Sequence, residues 1–135
     1  MTRQFVVQLD NRPGELAHLA KALAARGIDI RHIASAGAGP SACAFLTTTD
    51  ADATREVLHS LGNLFIEGTP IIVELDDRPG AFAEVAATLA GAGVNVLGSL
   101  IVGRKEGVVE VAFSVDDEEK ARAVLGNTDL VGVGD

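Results

Sequence analysis

Leu9-Asp10-Asn11-Arg12-Pro13-Gly14 returns 66 residues later as Leu75-Asp76-Asp77-Arg78-Pro79-Gly80, and this repetition decides the fold. Each copy follows a short β-branched segment and precedes an Ala- and Leu-rich stretch that ends at a glycine and a second apolar segment. The chain is therefore a tandem duplication of one folding unit. Leu61-Gly62-Asn63 returns only 64 residues later, so we expect a two-residue length difference between the copies, located in a loop.

Length and composition are those of a folded protein with two small units. The 135 residues, 47% hydrophobic and 22% charged, are typical of a globular chain and not of a disordered one. We place the first unit at residues 1–67 and the second at residues 70–135. A lone core of about 65 residues is marginal, and the link at residues 67–70 is short, so we expect the two units to pack side by side.

Charge and cysteine content exclude several classes of function. A net charge of -8 argues against nucleic acid, which is bound mainly through clustered Lys and Arg. The sequence shows no signal-peptide core and no apolar run long enough to span a bilayer. Cys43 is the only cysteine, which rules out an intrachain disulfide and favours a reducing compartment. We therefore expect a cytoplasmic protein with no nucleic-acid or membrane partner.

Each half predicts the order strand, helix, strand, strand, helix, strand. Proline is accepted in the first turn of a helix, so Asp10 or Asn11 is expected to cap the helix that follows Pro13, and Asp50 or Asp52 the next one. The predicted strands are residues 5–9, 28–34, 42–48 and 64–66 in the first half and residues 71–75, 94–102, 108–115 and 130–133 in the second, with helices at 81–90 and 116–125 in the second half.

Two interleaved right-handed crossovers in one small sheet give an α+β ferredoxin-like βαββαβ unit with its second strand at a sheet edge. The repeated motif, together with Gly27-Ile28-Asp29-Ile30 and Gly93-Val94-Asn95-Val96, resembles the tandem ACT-domain proteins over almost the whole chain. That family consists of small ligand-binding regulatory modules. The resemblance implies a regulatory protein that binds a free amino acid or similar small metabolite at the junction of its two units. With no attached enzyme, we expect it to modulate a partner enzyme or regulator.

A free amino acid needs donors for its carboxylate and acceptors for its ammonium group. A turn that opens a helix offers unpaired backbone N–H groups, and glycine lets a ligand approach that backbone closely. If the two edge strands meet, each site combines one copy's turn with the other copy's second strand. The expected ligand-binding residues are Asp10, Asn11, Arg12, Pro13, Gly14, Glu15, Leu16, Ile28, Asp29 and Ile30, and in the second copy Asp76, Asp77, Arg78, Pro79, Gly80, Ala81, Phe82, Val94, Asn95 and Val96.

Plainer structural roles compete with this hypothesis. Asp10 and Asp76 would serve equally well as helix caps, worth about 1 kcal/mol each. Arg12 and Arg78 are also compatible with solvated surface arginines, and the polar residues at 29 and 95 with the wet face of a strand. Glu15 aligns with Ala81 and Leu16 with Phe82, so the two sites are not expected to be identical, and whether one or both bind stays open.

Catalysis and metal binding find little support in the sequence. His18 and His59 fall off the apolar stripes of their helices, and no two histidines have ligand spacing with a carboxylate. We expect Cys43 to be a small buried hydrophobe, and residues 36–40 to form a hairpin turn, because a phosphate loop would need a lysine and a following helix. We therefore predict no enzyme activity, no metal and no cofactor.

Two further functional classes stay open at this point. One is a structural or oligomerisation module without a small ligand. The other is a small enzyme whose chemistry depends on Asp76, Asp77 or His32. Whichever of the three functional classes holds, an uncovered apolar sheet face favours a homodimer.

Overall fold

The computed structural model describes residues 3–125. This part of the chain contains two compact units, one over Arg3–Gly68 and one from Thr69 onward. The predicted unit limits, 1–67 and 70–135, include residues at both ends that lie outside the described part, so they stay a prediction. Residues 67 and 68, predicted to belong to the link, lie in the last strand of the first unit.

The first unit has the predicted order of elements. They are β1 (Gln4–Asp10), α1 (Glu15–Ala25), β2 (Ile30–Ala38), β3 (Ser41–Thr48), α2 (Ala51–Leu61) and β4 (Phe65–Gly68). The four strands form one sheet in the order β2-β3-β1-β4, and every neighbouring pair is antiparallel. This is the ferredoxin-like arrangement, and β2 lies at the sheet edge as predicted.

The second unit repeats the arrangement with β5 (Ile71–Asp76), α3 (Ala81–Gly91), β6 (Val96–Lys105), β7 (Val108–Val115) and α4 (Glu118–Val124). Its sheet has the order β5-β7-β6, equivalent to β1-β3-β2 of the first unit. The strand predicted at residues 130–133 lies outside the described residues. The predicted α+β fold class is confirmed.

Alternation along the central strands places both helices of a unit on one sheet face. In β1, alternate residues are fully or almost fully buried and pack in one cluster with residues of both α1 and α2, because successive side chains of a strand point to opposite faces. The second unit has the same construction around β5, with α3 and α4. The cluster members concerned are Phe5, Val7, Leu9, Leu19, Leu23, Val57 and Leu58, and Ile71, Val73, Leu75, Leu89 and Ala121.

The length difference between the copies is not in a loop, contrary to the prediction. The edge strands share an irregularity near their starts, but β6 has a second one between Ile101 and Gly103, which adds one residue. The helix α2 spans 11 residues and α4 only 7. A bulge in the edge strand and a shorter second helix therefore produce the net difference.

Two local predictions about the β2–β3 hairpin need correction. Gly37 lies within β2 and not in the turn, which consists of Gly39 and Pro40. Cys43 is exposed and not buried. It alternates with Ala42 and Ala44 along β3, and Ala44 faces the helices, so Cys43 lies on the opposite face.

Candidate functional site

The two repeated turns fold alike. Each of the two helices that follow begins directly after a glycine in the left-handed region, Gly14 and Gly80, both with φ of 91°. The Glu15 N–H donates to the Arg12 carbonyl at 3.4 Å, and the equivalent bond from Ala81 to Arg78 is 3.3 Å. Only glycine adopts this backbone conformation without strain, so the motif requires Gly at its last position.

The predicted capping by Asp10 or Asn11 is wrong, and so is the capping role considered for Asp76. The residues that cap α1 and α3 are the two glycines, and among residues 3–125 no side chain accepts a bond from either helix start. The side chain of Asn11 instead donates to the carbonyl of Gly39 at 3.0 Å. The helix α2 does follow the prediction, because the Asp50 carboxylate accepts from the N–H of Ala53.

This type of helix start leaves backbone donors exposed. Within residues 3–125, the N–H groups of Gly14, Leu16 and Ala17 have no protein acceptor, and the same holds for Gly80, Phe82 and Ala83. Such donors at the positive end of a helix favour a negatively charged ligand. The turn of each unit therefore has the donors that a carboxylate requires.

A cleft lies beside each turn, between the start of the helix and the hairpin end of the edge strand. Its volume is about 220 Å³ in the first unit and about 170 Å³ in the second. Each cleft is built within a single unit, and nine of its ten lining residues are at positions equivalent to those of the other cleft. The first is lined by Leu9, Asp10, Asn11, Arg12, Glu15, Leu16, Ser35, Ala36, Gly37 and Ala42, and the second by Leu75, Asp76, Asp77, Arg78, Ala81, Phe82, Ile101, Arg104, Val109 and Val111.

Carboxylates surround the arginine of each turn. Arg12 donates to Glu15 at 2.8 Å and lies 3.5 Å from Asp10. The hydrogen bond to Glu15, then the charges of Glu15 and Asp10, raise the pKa of the Arg12 guanidinium. The first cleft thus contains an arginine whose charge is already neutralised by two of its own neighbours.

The second arginine is paired differently. Arg78 donates to Glu84 at 3.0 Å and lies 3.5 Å from Asp76, and the bond to Glu84 is the main cause of its raised pKa. In return Arg78 lowers the pKa of the Glu84 carboxyl group. Glu84 is absent from the cleft lining, whereas Glu15 is part of it.

The sequence prediction missed the edge-strand wall of each cleft. Gly37 pairs with Ala42 and Arg104 with Val109, so Gly37 and Arg104 occupy equivalent positions. Arg104 donates to Asp77 at 2.8 Å across the second cleft. A Cβ atom on Gly37 would lie 2.6 Å from the Asn11 side-chain oxygen, so glycine is required there while Asn11 keeps its place. The strand order contained this signal, because it brings the hairpin end of the edge strand close to the end of β1 or β5.

The other predicted site residues lie at the opposite end of the edge strands. Ile30 pairs with Thr48 at one end of β2, and Ala38 pairs with Ser41 at the other end, next to the hairpin turn. The cleft and the turn that opens α1 lie at this second end. Within a unit, therefore, Asp29 is not brought to its own turn, and the same applies to Asn95. The backbone N–H of Asp29 donates to the Thr49 hydroxyl at 3.1 Å, and the backbone N–H of Asn95 donates to the Asp116 carboxylate at 2.9 Å.

Three of the predicted ligand-binding residues have core side chains. Ile28, Ala81 and Val94 are almost fully buried in the cores of their units. Little of the surface of these three residues is therefore available to a ligand. Leu16 and Phe82, in contrast, are 41% and 46% exposed beside their turns.

Comparison with known protein families identifies the family of this chain. The model of the ACT domain matches residues 3–64 and again residues 71–126. The chain belongs to the ACT domain family. ACT domains are small regulatory modules, and this chain carries two in tandem. No curated protein sequence matches it.

Solved structures share the fold of the tandem ACT units. A protein from Bacteroides thetaiotaomicron is 21% identical with a TM-score of 0.65, and the match covers 93% of this chain and 87% of that one. The regulatory subunit of aspartate kinase from Thermus flavus is 24% identical with a TM-score of 0.61, covering 94% and 90%. A ligand-free form of that subunit from Thermus thermophilus is 20% identical with a TM-score of 0.56, covering 94% and 92%.

The described part of the ACT units has neither a metal centre nor a membrane helix. No group of three or more His, Cys, Asp or Glu side chains within residues 3–125 is arranged to hold a metal ion. Over the same residues, no helix is both long enough and apolar enough to cross a bilayer. His18 and His59 are exposed as predicted, and His32 lies within 2.7 Å of the Thr47 hydroxyl.

Proposed function

We propose that this protein is a regulator that binds a free amino acid or similar small metabolite at the turn of one or both ACT units. The observation that carries the proposal is the repeated helix start, with unpaired backbone donors next to a carboxylate and a small cleft. The donors suit the ligand's carboxylate, and Asp10 or Asp76 suits its ammonium group. Membership of a family of regulatory modules supports the same reading.

We further propose that each site is completed by the second strand of another unit. In this arrangement residues 28–30 approach the turn at residues 76–82, and residues 94–96 approach the turn at residues 10–16. The position of β2 and β6 at the sheet edges supports this, because an edge strand has free N–H and C=O groups for pairing.

Regulation of a partner enzyme or regulator, without catalysis by the chain itself, completes the proposal. The chain would act as a homodimer, and the exposed thiol of Cys43 suits the reducing conditions of the cytoplasm. Light scattering tests the assembly. A monodisperse monomer at micromolar concentration would remove the homodimer from the proposal without affecting ligand binding.

A thermal-shift screen of the twenty amino acids tests the binding. A ligand that binds only the folded chain raises the melting temperature by mass action. We expect a rise of several degrees with at least one amino acid at millimolar concentration. If none of the twenty changes the melting temperature, the structural or oligomerisation module becomes the better description.

A further inference from the structure

Resting on the proposed function, we infer that the cleft of the second unit is the amino-acid site and selects an apolar side chain, whereas the equivalent cleft of the first unit does not bind such a ligand. The inference depends on three differences between the clefts, in their apolar walls, their charges and the free donors of their arginines.

The first difference is a larger exposed apolar wall in the second cleft. Phe82 and Ile101 are large hydrophobic side chains that are 46% and 54% exposed, and both line this cleft. The ring centroid of Phe82 lies 5.6 Å from that of the buried Phe113, which supports the ring from behind. Leu16 and Ser35 occupy the equivalent positions in the first unit. An apolar ligand side chain would therefore cover more exposed hydrophobic surface in the second unit, where Phe82 and Ile101 line the cleft, than in the first, where only Leu16 of this pair of positions is hydrophobic.

The second difference is the charge that a ligand carboxylate would meet. The first cleft is lined by Asp10, Glu15 and one arginine, so acids outnumber bases there. In the second cleft Asp76 and Asp77 are balanced by Arg78 and Arg104. Alanine stands at position 81 in place of Glu15, and the acid in the first turn of α3, Glu84, lies outside the cleft lining, where it pairs with Arg78. The carboxylate of a ligand is therefore repelled less strongly in the second cleft than in the first.

The third difference is a guanidinium group with unused donors. Arg104 uses one terminal nitrogen for its bond to Asp77, and within residues 3–125 its Nε and other terminal nitrogen have no partner. Arginine can donate two parallel hydrogen bonds to one carboxylate. Arg104 can therefore bind a ligand carboxylate through these two nitrogens while it keeps its hydrogen bond to Asp77. The first unit has Gly37 at this position and no equivalent group. The cleft volume of about 170 Å³ is below the roughly 300–1,000 Å³ typical of sites for drug-sized molecules, which suits a single amino acid.

Isothermal titration calorimetry of the full chain tests this inference. Leucine, isoleucine, valine and phenylalanine are compared with glycine, aspartate and lysine. The variants Phe82→Ala, Ile101→Ser and Arg104→Gly alter the second cleft, the last two by introducing the first unit's residues. Ile33→Ser is the matched control, because it makes the same exchange on the edge strand of the first unit at an exposed position outside both clefts. Circular dichroism verifies that each variant is folded.

We expect one apolar amino acid bound per chain, with an affinity at least tenfold above that of aspartate and lysine. Phe82→Ala and Ile101→Ser should each weaken it by about tenfold, the effect of losing roughly 1.4 kcal/mol of apolar contact, while Ile33→Ser leaves it unchanged. Arg104→Gly should weaken apolar and polar ligands alike. Two equal sites per chain, or binding that is insensitive to both Phe82→Ala and Ile101→Ser, would overturn the inference while leaving the proposed function intact. If the unaltered chain binds none of the seven amino acids, this inference fails, while the thermal-shift screen of all twenty decides the proposed function separately.

Discussion

Asn11→Ala and Gly37→Ala, made singly and together, test the packing of the turn against the edge strand in the first unit. In the structure the Asn11 amide lies directly over Gly37 and donates to the Gly39 carbonyl at 3.0 Å. An alanine Cβ at position 37 would lie 2.6–2.8 Å from three atoms of that amide, closer than carbon atoms and polar atoms approach in proteins. The Asn11 side chain must then move and lose its bond to Gly39.

The expected energies follow from these contacts. Asn11→Ala loses one exposed hydrogen bond, worth about 0.5–1.5 kcal/mol. Gly37→Ala stabilises a strand position by roughly 0.5–1 kcal/mol, but it also forfeits the same hydrogen bond, so its net effect is near zero. Once Asn11 is alanine, the obstacle is gone and Gly37→Ala should stabilise by the full 0.5–1 kcal/mol or so. The coupling between the two positions is therefore about 0.5–1.5 kcal/mol.

Urea unfolding followed by far-UV circular dichroism measures the four free energies, since the chain has no Trp or Tyr for fluorescence. Gly103→Ala is the matched control, because Gly103 is also an edge-strand glycine but lies in the second unit. It should show no coupling to Asn11→Ala. A coupling energy below about 0.3 kcal/mol between positions 11 and 37, within the usual additivity error, would refute the packing described here.

Three further changes test the described contacts by stability measurements. Gly14→Ala should cost about 1–2 kcal/mol through backbone strain alone, because φ is 91° and, apart from the adjoining residues, nothing in residues 3–125 lies within 4 Å of the new Cβ; an unchanged urea midpoint would contradict this. The hydrogen bond from Arg55 lowers the pKa of Glu67 from its ordinary 4.5, so the stability from this carboxylate is present above pH 4.5 and lost as the pH falls through the lowered pKa. Glu67→Gln should therefore flatten the loss of stability in acid relative to the unaltered chain, whereas Glu106→Gln, which removes an exposed carboxylate without an ion-pair partner in residues 3–125, should not. Thr54→Val removes a fully buried hydroxyl with two hydrogen-bond partners and should cost about 1–3 kcal/mol, seen as a lower urea midpoint; a cost below 0.5 kcal/mol would show that water replaces the bonds.

The fold was predictable from the sequence because its signals are local and occur twice. The motif ending at Gly14 and Gly80 marks the passage from strand to helix in both copies, and alternation in β1 and β5 identifies the buried face. The errors arose where a different local solution competes with the expected one. Asp10 is a good helix cap by composition, but a left-handed glycine between it and the helix takes over the capping position. A length difference between two copies predicts a longer loop in one of them, whereas an edge strand can absorb a residue as a bulge because one of its sides is unpaired.

The candidate site could be predicted only in part, because one wall of it depends on strand pairing. The turn residues follow from the motif, but Gly37 and Arg104 come near the turn only through the register of the hairpin with β1 or β5. The ion-pair partners of the two arginines could not be predicted from the sequence either. Arg78 pairs with Glu84 six residues along the chain, whereas Arg12 pairs with Glu15 three residues along it. The sequence does not state which carboxylate a flexible arginine reaches.

Titration of the ¹⁵N-labelled chain with leucine, isoleucine, valine and phenylalanine in turn, followed by two-dimensional NMR, tests the central claim most directly, because it observes the proposed backbone donors themselves. The expected shifts are those with the amino acid that binds. The account predicts that the amide signals of Gly80, Phe82 and Ala83 shift progressively and saturate, while that of Gly62, at the end of α2, stays in place. Saturating shifts confined to residues away from both turns, or no shift at any amide with any of the four amino acids at millimolar concentration, would contradict it.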